Sequence, residues 1–242
     1  MSVNLYHGDC LDIMPTLDQV DLILADLPYG TTQCKWDVVI PFEDLWKEYK
    51  RLRKEHVAIV LFCTQPFTSA LIMSNVEEFK YCWDWDKMTG KGHLVAKIRP
   101  LQQTEQIAVF GGDKINYYPI MVLRDKPVKG KEAKRTEIMG GVSSGYEVTY
   151  THKYPKTLLS FKPVFHGTHP AQKPVPLLEY LIKTYTKEGD VVLDNTMGSG
   201  STGVACVRTK RNFIGIEKNR EIFIGAKQRI SDAEYEMAQR LF

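Results

Sequence analysis

The stretch Val191-Val192-Leu193-Asp194-Asn195-Thr196-Met197-Gly198-Ser199-Gly200-Ser201-Thr202-Gly203 leaves little freedom of local structure. Val191 to Leu193 is an apolar run that fits a short strand covered on both faces. Gly198 and Gly200 let the backbone turn sharply and approach a ligand, and Ser199 to Thr202 offer N-cap side chains for a helix. Such a turn presents free N–H groups to an anionic or carboxylate-bearing ligand. A second strand, Asn212 to Glu217, ends in an acid 23 residues after Asp194. A carboxylate roughly 20 residues past a glycine turn is placed to hold a ribose hydroxyl. The full G-x-G-x-x-G is missing, so an adenosine without a phosphate suits the turn better than a dinucleotide. Alone, the turn also fits a tight connection with no nucleoside.

A second stretch raises the functional reading. Asp21-Leu22-Ile23-Leu24-Ala25 is an apolar strand that delivers Asp26, Leu27, Pro28, Tyr29 and Gly30 at its carboxyl end, where open α/β sheets place their chemistry. Beside an adenosine-type cofactor these residues can act on a nucleobase amine, whose lone pair is delocalised into the ring. Asp26 and the Leu27 carbonyl, fixed ahead of Pro28, would accept the two N–H bonds and free that lone pair. Tyr29 offers a flat face for a base extruded from the duplex. Attack on a methyl–sulfonium bond would then be direct, its rate owed to positioning.

The chain has 242 residues, 43% hydrophobic and 25% charged, enough for one α/β domain with an insertion. No apolar run approaches the length of a membrane span and no leader is expected at the N-terminus. The five cysteines are scattered without a C-x-x-C pair, which suggests reduced thiols in a cytoplasmic protein and no zinc site. No metal is expected. Net charge is +3 overall, but residues 111–165 hold ten Lys/Arg against five Asp/Glu, so the remainder is slightly acidic. Seven aromatics are interleaved there. A basic, aromatic segment points to an anionic polymer, with Lys126, Lys129, Lys131, Lys134 and Arg135 as phosphate contacts. The bland alternative is a solvated surface loop.

Strands are expected at Val3–Tyr6, Asp21–Ala25, Val57–Cys63, Phe79–Trp85 and Gln106–Phe110. Helices are expected from Pro41 to about Lys54, at Pro66–Ser74, at Val175–Lys187 and from about Glu221 onward. This alternation predicts a doubly wound, mostly parallel α/β sheet. Residues 111–165 show no period and read as a partly mobile insertion. The organisation is therefore 1–110, an inserted 111–165, and 166–242 completing the first part.

Together these residues resemble the S-adenosylmethionine-dependent DNA amino-methyltransferases, in the permuted order with the catalytic motif ahead of the cofactor motif. Asp26-Leu27-Pro28-Tyr29 resembles the family's (Asp/Asn/Ser)-Pro-Pro-(Tyr/Phe). Asp194 to Thr202 resembles its Asp-Pro-Phe-x-Gly-Ser-Gly-Thr-Thr loop. His169-Pro170-Ala171-Gln172-Lys173-Pro174 resembles its segment bordering the methionine end of the cofactor, and Gly8-Asp9 its acidic strand end near the adenine. The resemblance covers about residues 4–110 and 166–230 and places the insertion where the family keeps target recognition. It implies a Rossmann-like methyltransferase sheet and S-adenosyl-L-methionine as cofactor. The implied cofactor contacts are Asp9, Cys10, His169, Gln172, Lys173, Asp194, Thr196, Gly198, Ser199, Gly200, Ser201, Thr202, Glu217 and Lys218. Leu27 replaces the first proline and Asn195-Thr196-Met197 replaces Pro-Phe-x. Neither change removes a reacting group, since Leu27 acts through its carbonyl.

The implied reaction is methylation of adenine N6 in double-stranded DNA, because Asp at the head of the tetrapeptide leans toward adenine. Cytosine N4, an RNA amine and a glutamine amide need the same acceptors and stay open. A non-catalytic DNA-binding scaffold is disfavoured by the intact motifs, and a nicotinamide oxidoreductase by the missing third glycine. No Pro-Cys pair exists, which excludes the cysteine nucleophile of cytosine C5 methylation. Trp36, Trp85 and Lys87 could line a base pocket, core packing being the commoner fate of tryptophans. Relatives of this class are often dimers, so a homodimer is compatible with the reading.

Overall fold

The computed structural model describes residues 1–31, 34, 37–135, 141–164 and 172–239, the side chains of 131–146 excepted. The chain forms two compact units, Met1–Tyr118 with Thr157–Phe242, and Pro119–Lys156. In the larger unit an eight-stranded sheet runs β1 (Val3–His7), β10 (Asn212–Glu217), β9 (Val191–Asp194), β2 (Val20–Asp26), β3 (Arg53–Cys63), β5 (Gln102–Phe110), β4 (Phe79–Lys91), β8 (Leu158–Ser160). The first five are mutually parallel. β5 runs antiparallel to both β3 and β4, while β8 follows β4 in parallel. The mostly parallel, doubly wound sheet is thus the one expected.

The central strand β2 explains why the chain folds this way. Leu22, Ile23 and Leu24 are fully buried and Ala25 nearly so, so a continuous apolar run is covered on both faces. Leu22 and Leu24 join a cluster with residues of α4 (Val175–Tyr185), α5 (Ser201–Arg208) and α6 (Arg220–Gln239). Ile23 and Ala25 join the opposite cluster with residues of α1 (Cys10–Ile13), α2 (Phe42–Leu52) and α3 (Phe67–Met73). In α2, Glu43 and Asp44 sit at the positive end of the helix dipole and Lys50 and Arg51 at the negative end. Its Leu45, Trp46, Tyr49 and Leu52 form the buried stripe. Each such side chain removed from water contributes about 1.5–3 kcal/mol.

The chain steps outward from β2 to β3 on one side and from β9 to β10 on the other. The crevice between the carboxyl ends of β2 and β9 is therefore a topological switch point, where open α/β sheets bind ligands.

Four expectations change. β3 begins at Arg53 and not at Val57, because Arg53 pairs with Val20, so α2 ends at Leu52. β4 and β5 extend past Trp85 and begin before Gln106, because Asp86 pairs with Thr104 and Lys91 with Gln102 beyond the buried part of the hairpin. β8 joins the sheet edge inside the segment expected as an insertion. Residues 122–135 and 141–153, which show no period in the sequence, form an antiparallel ribbon within the smaller compact unit: β6 (Val122–Arg135) pairs with β7 (Gly141–Lys153). Leu123 and Val128 of the ribbon are largely exposed. With little to bury, the sequence carries no alternation to mark the strands.

Candidate active site

Asp26 closes β2 at the switch point. Its Oδ1 accepts a 2.6 Å hydrogen bond from Tyr29 Oη, and its Oδ2 lies 2.6 Å from Lys173 Nζ. Thr196 Oγ1 donates to the Asp26 carbonyl at 3.0 Å, tying the strand end to the glycine turn. Phe67 backs the Tyr29 ring, with centroids 5.1 Å apart. Lys173 stands just ahead of α4, over the Phe62 ring of β3 at 4.9 Å.

A residue that the sequence reading missed completes the cluster. Glu105 of β5 lies 3.0 Å from Lys173 Nζ, 3.2 Å from Tyr29 Oη and 2.7 Å from Lys87 Nζ. Two carboxylates and two ammoniums thus form one buried, charge-balanced group. Glu105 and Lys173 side chains are 8% and 11% exposed and that of Asp26 is 25% exposed, so Asp26 is the member an incoming molecule reaches. Glu105 stands one residue ahead of the expected Gln106–Phe110 strand, and only the β4–β5 pairing sets it opposite Trp85. Trp85 itself is core, its Nε1 bonded to the Phe161 carbonyl, and Lys87 is held by Glu105.

Burial raises the Asp26 carboxyl above its ordinary value; Lys173 pulls against this and Glu105 adds to it. Burial acts on Glu105 in the same sense, but Lys173 and Lys87 outweigh it and hold Glu105 down at about 2. Burial works against the Lys173 charge, and the two carboxylates more than offset it, raising its pKa. Burial and the neighbouring Asp26 keep Tyr29 protonated.

On the other side of the crevice, Gly198 and Gly200 take φ of +49° and +75°, a conformation strained for side-chain-bearing residues. A Cβ on Gly200 would come 3.1 Å from Ala226 Cβ of α6, so glycine also permits the packing of turn on helix. Asp194 is buried, accepting from Thr202 Oγ1 at 2.6 Å and Thr196 N at 3.1 Å. Burial pushes it up to about 7 against those two bonds. Arg229 donates to the Ser199 carbonyl and to Ser201 Oγ, bracing the turn from α6.

Glu217 ends β10 half-buried, its carboxylate accepting from Gly198 N at 3.0 Å and Asn219 N at 2.7 Å. The Gly198 N–H, expected to face a ligand, is bonded to Glu217 in this structure. Each Glu217 oxygen keeps acceptor capacity, which suits a vicinal diol. At the adjacent end of β1, Asp9 accepts from Leu11 N at 3.0 Å and from Lys218 Nζ at 2.8 Å, and the lysine holds its carboxyl low. Cys10 is buried at the start of α1. A fixed acid at β10, a second at β1 and a glycine turn between β9 and α5 fit the adenosine moiety of S-adenosylmethionine.

Asp26 to Tyr29, Lys173 and Thr196 thus meet at the β2–β9 crevice, while Asp9, Lys218 and Glu217 meet at the β1–β10 ends. Gln172 is half-buried beside Lys173. His169 and Trp36 lie outside the described residues. Lys126 and Lys129 are exposed on β6; Lys131, Lys134 and Arg135 are on the same strand, their side chains outside the description.

A family model described as DNA methylase matches residues 20–228. The Type II methyltransferase M1.MboII of Moraxella bovis is 28% identical over 249 residues, covering 91% of this chain and 94% of its own. The DNA adenine methyltransferase YhdJ of Escherichia coli is 26% identical, covering 97% and 85%. Among solved structures, the M1.HpyAVI complex with S-adenosylmethionine superposes with a TM-score of 0.65 at 26% identity, covering 94% of this chain and 98% of that one. Matched along most of its length and built around a fitting crevice, the chain belongs to the DNA methylase family and is an S-adenosylmethionine-dependent DNA amino-methyltransferase.

Proposed function

We propose that the protein methylates the N6 amine of adenine in double-stranded DNA, on a base extruded from the helix. The observation that carries this reading is the Asp26 carboxylate, the most exposed member of a buried charged cluster, at the switch point and tied through Thr196 to the glycine turn. S-adenosylmethionine, when bound, supplies an electrophilic methyl group. Glu217 would hold its ribose, Asp9 and Cys10 with Lys218 its adenine end. Asp194, Thr196, Gly198, Ser199, Gly200, Ser201 and Thr202 would shape the turn around it. Gln172, Lys173 and His169 would border its methionine end.

The chain's own residues do the rest. Asp26 and the Leu27 carbonyl accept the two amine N–H bonds, which returns the lone pair to the nitrogen. Pro28 fixes the direction of that carbonyl, and Tyr29, backed by Phe67, supports the base face. The raised basicity of Asp26 suits it to take the proton that the methylated amine must lose. The ribbon residues Lys126, Lys129, Lys131, Lys134 and Arg135 would contact phosphates.

Adenine is favoured over cytosine by Asp at position 26 and by the name of the E. coli relative. Cytosine N4 is the second reading, because both amines need the same two acceptors. The reading places the enzyme with cytoplasmic DNA, as a monomer or homodimer. Incubation with unmethylated DNA and S-adenosylmethionine, then nucleoside mass spectrometry, tests it. N6-methyladenine is expected; N4-methylcytosine would overturn the base assignment.

A further inference from the structure

The connection between β4 and β5 combines exposed apolar side chains with positive charge and carries no acid of its own. Residues 87–104 include Lys87, Lys91, Lys97 and Arg99 and no Asp or Glu. Lys87 is taken up by Glu105, whereas Lys91, Lys97 and Arg99 are exposed. Between them Leu94 is 102% and Ile98 83% exposed, with Met88 and Leu101 also open to solvent. Large apolar side chains grouped this way mark an interaction surface.

The segment is built to keep its shape. Gly92, at φ +93°, starts a 3-10 turn over His93–Val95. Ala96 N donates to the His93 carbonyl at 3.2 Å, and Ile98 N and Arg99 N to the Val95 carbonyl at 3.0 and 3.1 Å. At its base Gln102 Nε2 donates to Thr64 Oγ1 at 2.7 Å, just past the end of β3. The arms of this hairpin also reach the active site, since Glu105 pairs with Lys173, which pairs with Asp26, and Lys87 joins the same chain through Glu105. Leu101, four residues before Glu105, begins a tip that lies roughly 13 Å along extended chain from the charged cluster.

We propose that residues 88–101 are a wedge that enters duplex DNA beside the target base. Leu94 and Ile98 fill the gap in the stack, and Lys91, Lys97 and Arg99 hold the flanking phosphates. The proposal rests on the base-extruding DNA reaction proposed above. Extrusion leaves apolar base faces exposed, and an inserted aliphatic side chain covers them. The absence of acidic residues from this segment suits a polyanion and not an acidic-and-basic protein surface.

The test uses oligonucleotide duplexes carrying the sequence that the wild-type enzyme methylates, and the same duplexes with an abasic site opposite the target base. The abasic duplex lowers the cost of extrusion and so should bypass the wedge. Leu94→Ala with Ile98→Ala is expected to lower kcat/KM about 10-fold or more on the matched duplex and about 2-fold or less on the abasic one. Lys97→Ala with Arg99→Ala is expected to weaken both and to flatten the salt dependence of binding. Equal loss on both duplexes from the apolar variant would make these residues merely structural. No loss on either would leave the surface to another partner, such as a protein. Both results overturn the wedge. A wild-type enzyme that methylates no DNA overturns the underlying reaction, and the wedge with it.

Discussion

Lys173 Nζ lies 2.6 Å from Asp26 Oδ2 across 147 positions of sequence. The ammonium neutralises the carboxylate and also occupies it, so an amine arriving at Asp26 meets an oxygen already in use. Glu105, 3.0 Å from the same nitrogen, offers the ammonium a second carboxylate. The ion pair and the Tyr29 hydrogen bond define the resting state of the site.

Opposite pH shifts follow from the two neighbours of Asp26. The reaction needs the carboxylate, which exists above the raised pKa of Asp26. Lys173→Met removes the cation that lowers this pKa, so the acid limb of the kcat/KM profile should move to higher pH. Glu105→Gln removes a like charge, so the limb should move to lower pH. The same change leaves Lys87 buried without its carboxylate and should cost about 3–5 kcal/mol in denaturant unfolding, much of it recovered by adding Lys87→Met. Limbs that move together would contradict this electrostatic account.

Asp194 makes stability depend on pH near neutrality. Its folded pKa of about 7 lies above the ordinary 3.8, so between these values the folded state holds the proton more tightly. Stability should therefore rise as pH falls from about 7 toward about 4, through this group. Asp194→Asn should flatten the trend, read from urea midpoints at about pH 4 and about pH 8, the two sides of that window.

Cofactor affinity should depend on Glu217. Glu217→Ala removes an acceptor for the ribose diol and leaves the Gly198 N–H unpaired. Charge-assisted hydrogen bonds contribute about 1.5–3 kcal/mol, so calorimetry with S-adenosylmethionine should show roughly 10- to 100-fold weaker binding.

The ribbon should contribute to DNA affinity in a salt-dependent way. Replacing Lys126 and Lys129, exposed on β6, should lower the log–log salt slope of binding by about 0.9 for each phosphate that is no longer neutralised. An unchanged slope would make them solvated surface.

The middle of the sheet was legible because β2 and β9 are almost entirely buried: Leu22 to Ala25 and Val191 to Leu193 announce themselves as apolar runs. Asp26 and Glu217 were legible because each ends such a run. Glu105 was not, because its partners come from positions 26, 29, 87 and 173, and nothing local signals a contact of that range. The ribbon was missed because strands with little to bury carry no hydrophobic alternation, so pairing alone defines them.

The most direct measurement compares wild type with Asp26→Ala for methyl transfer to DNA, with S-adenosylmethionine affinity measured on both proteins. The account predicts retained cofactor binding and loss of N6-methyladenine in the variant. An Asp26→Ala enzyme that binds the cofactor and still methylates DNA near the wild-type rate would contradict it.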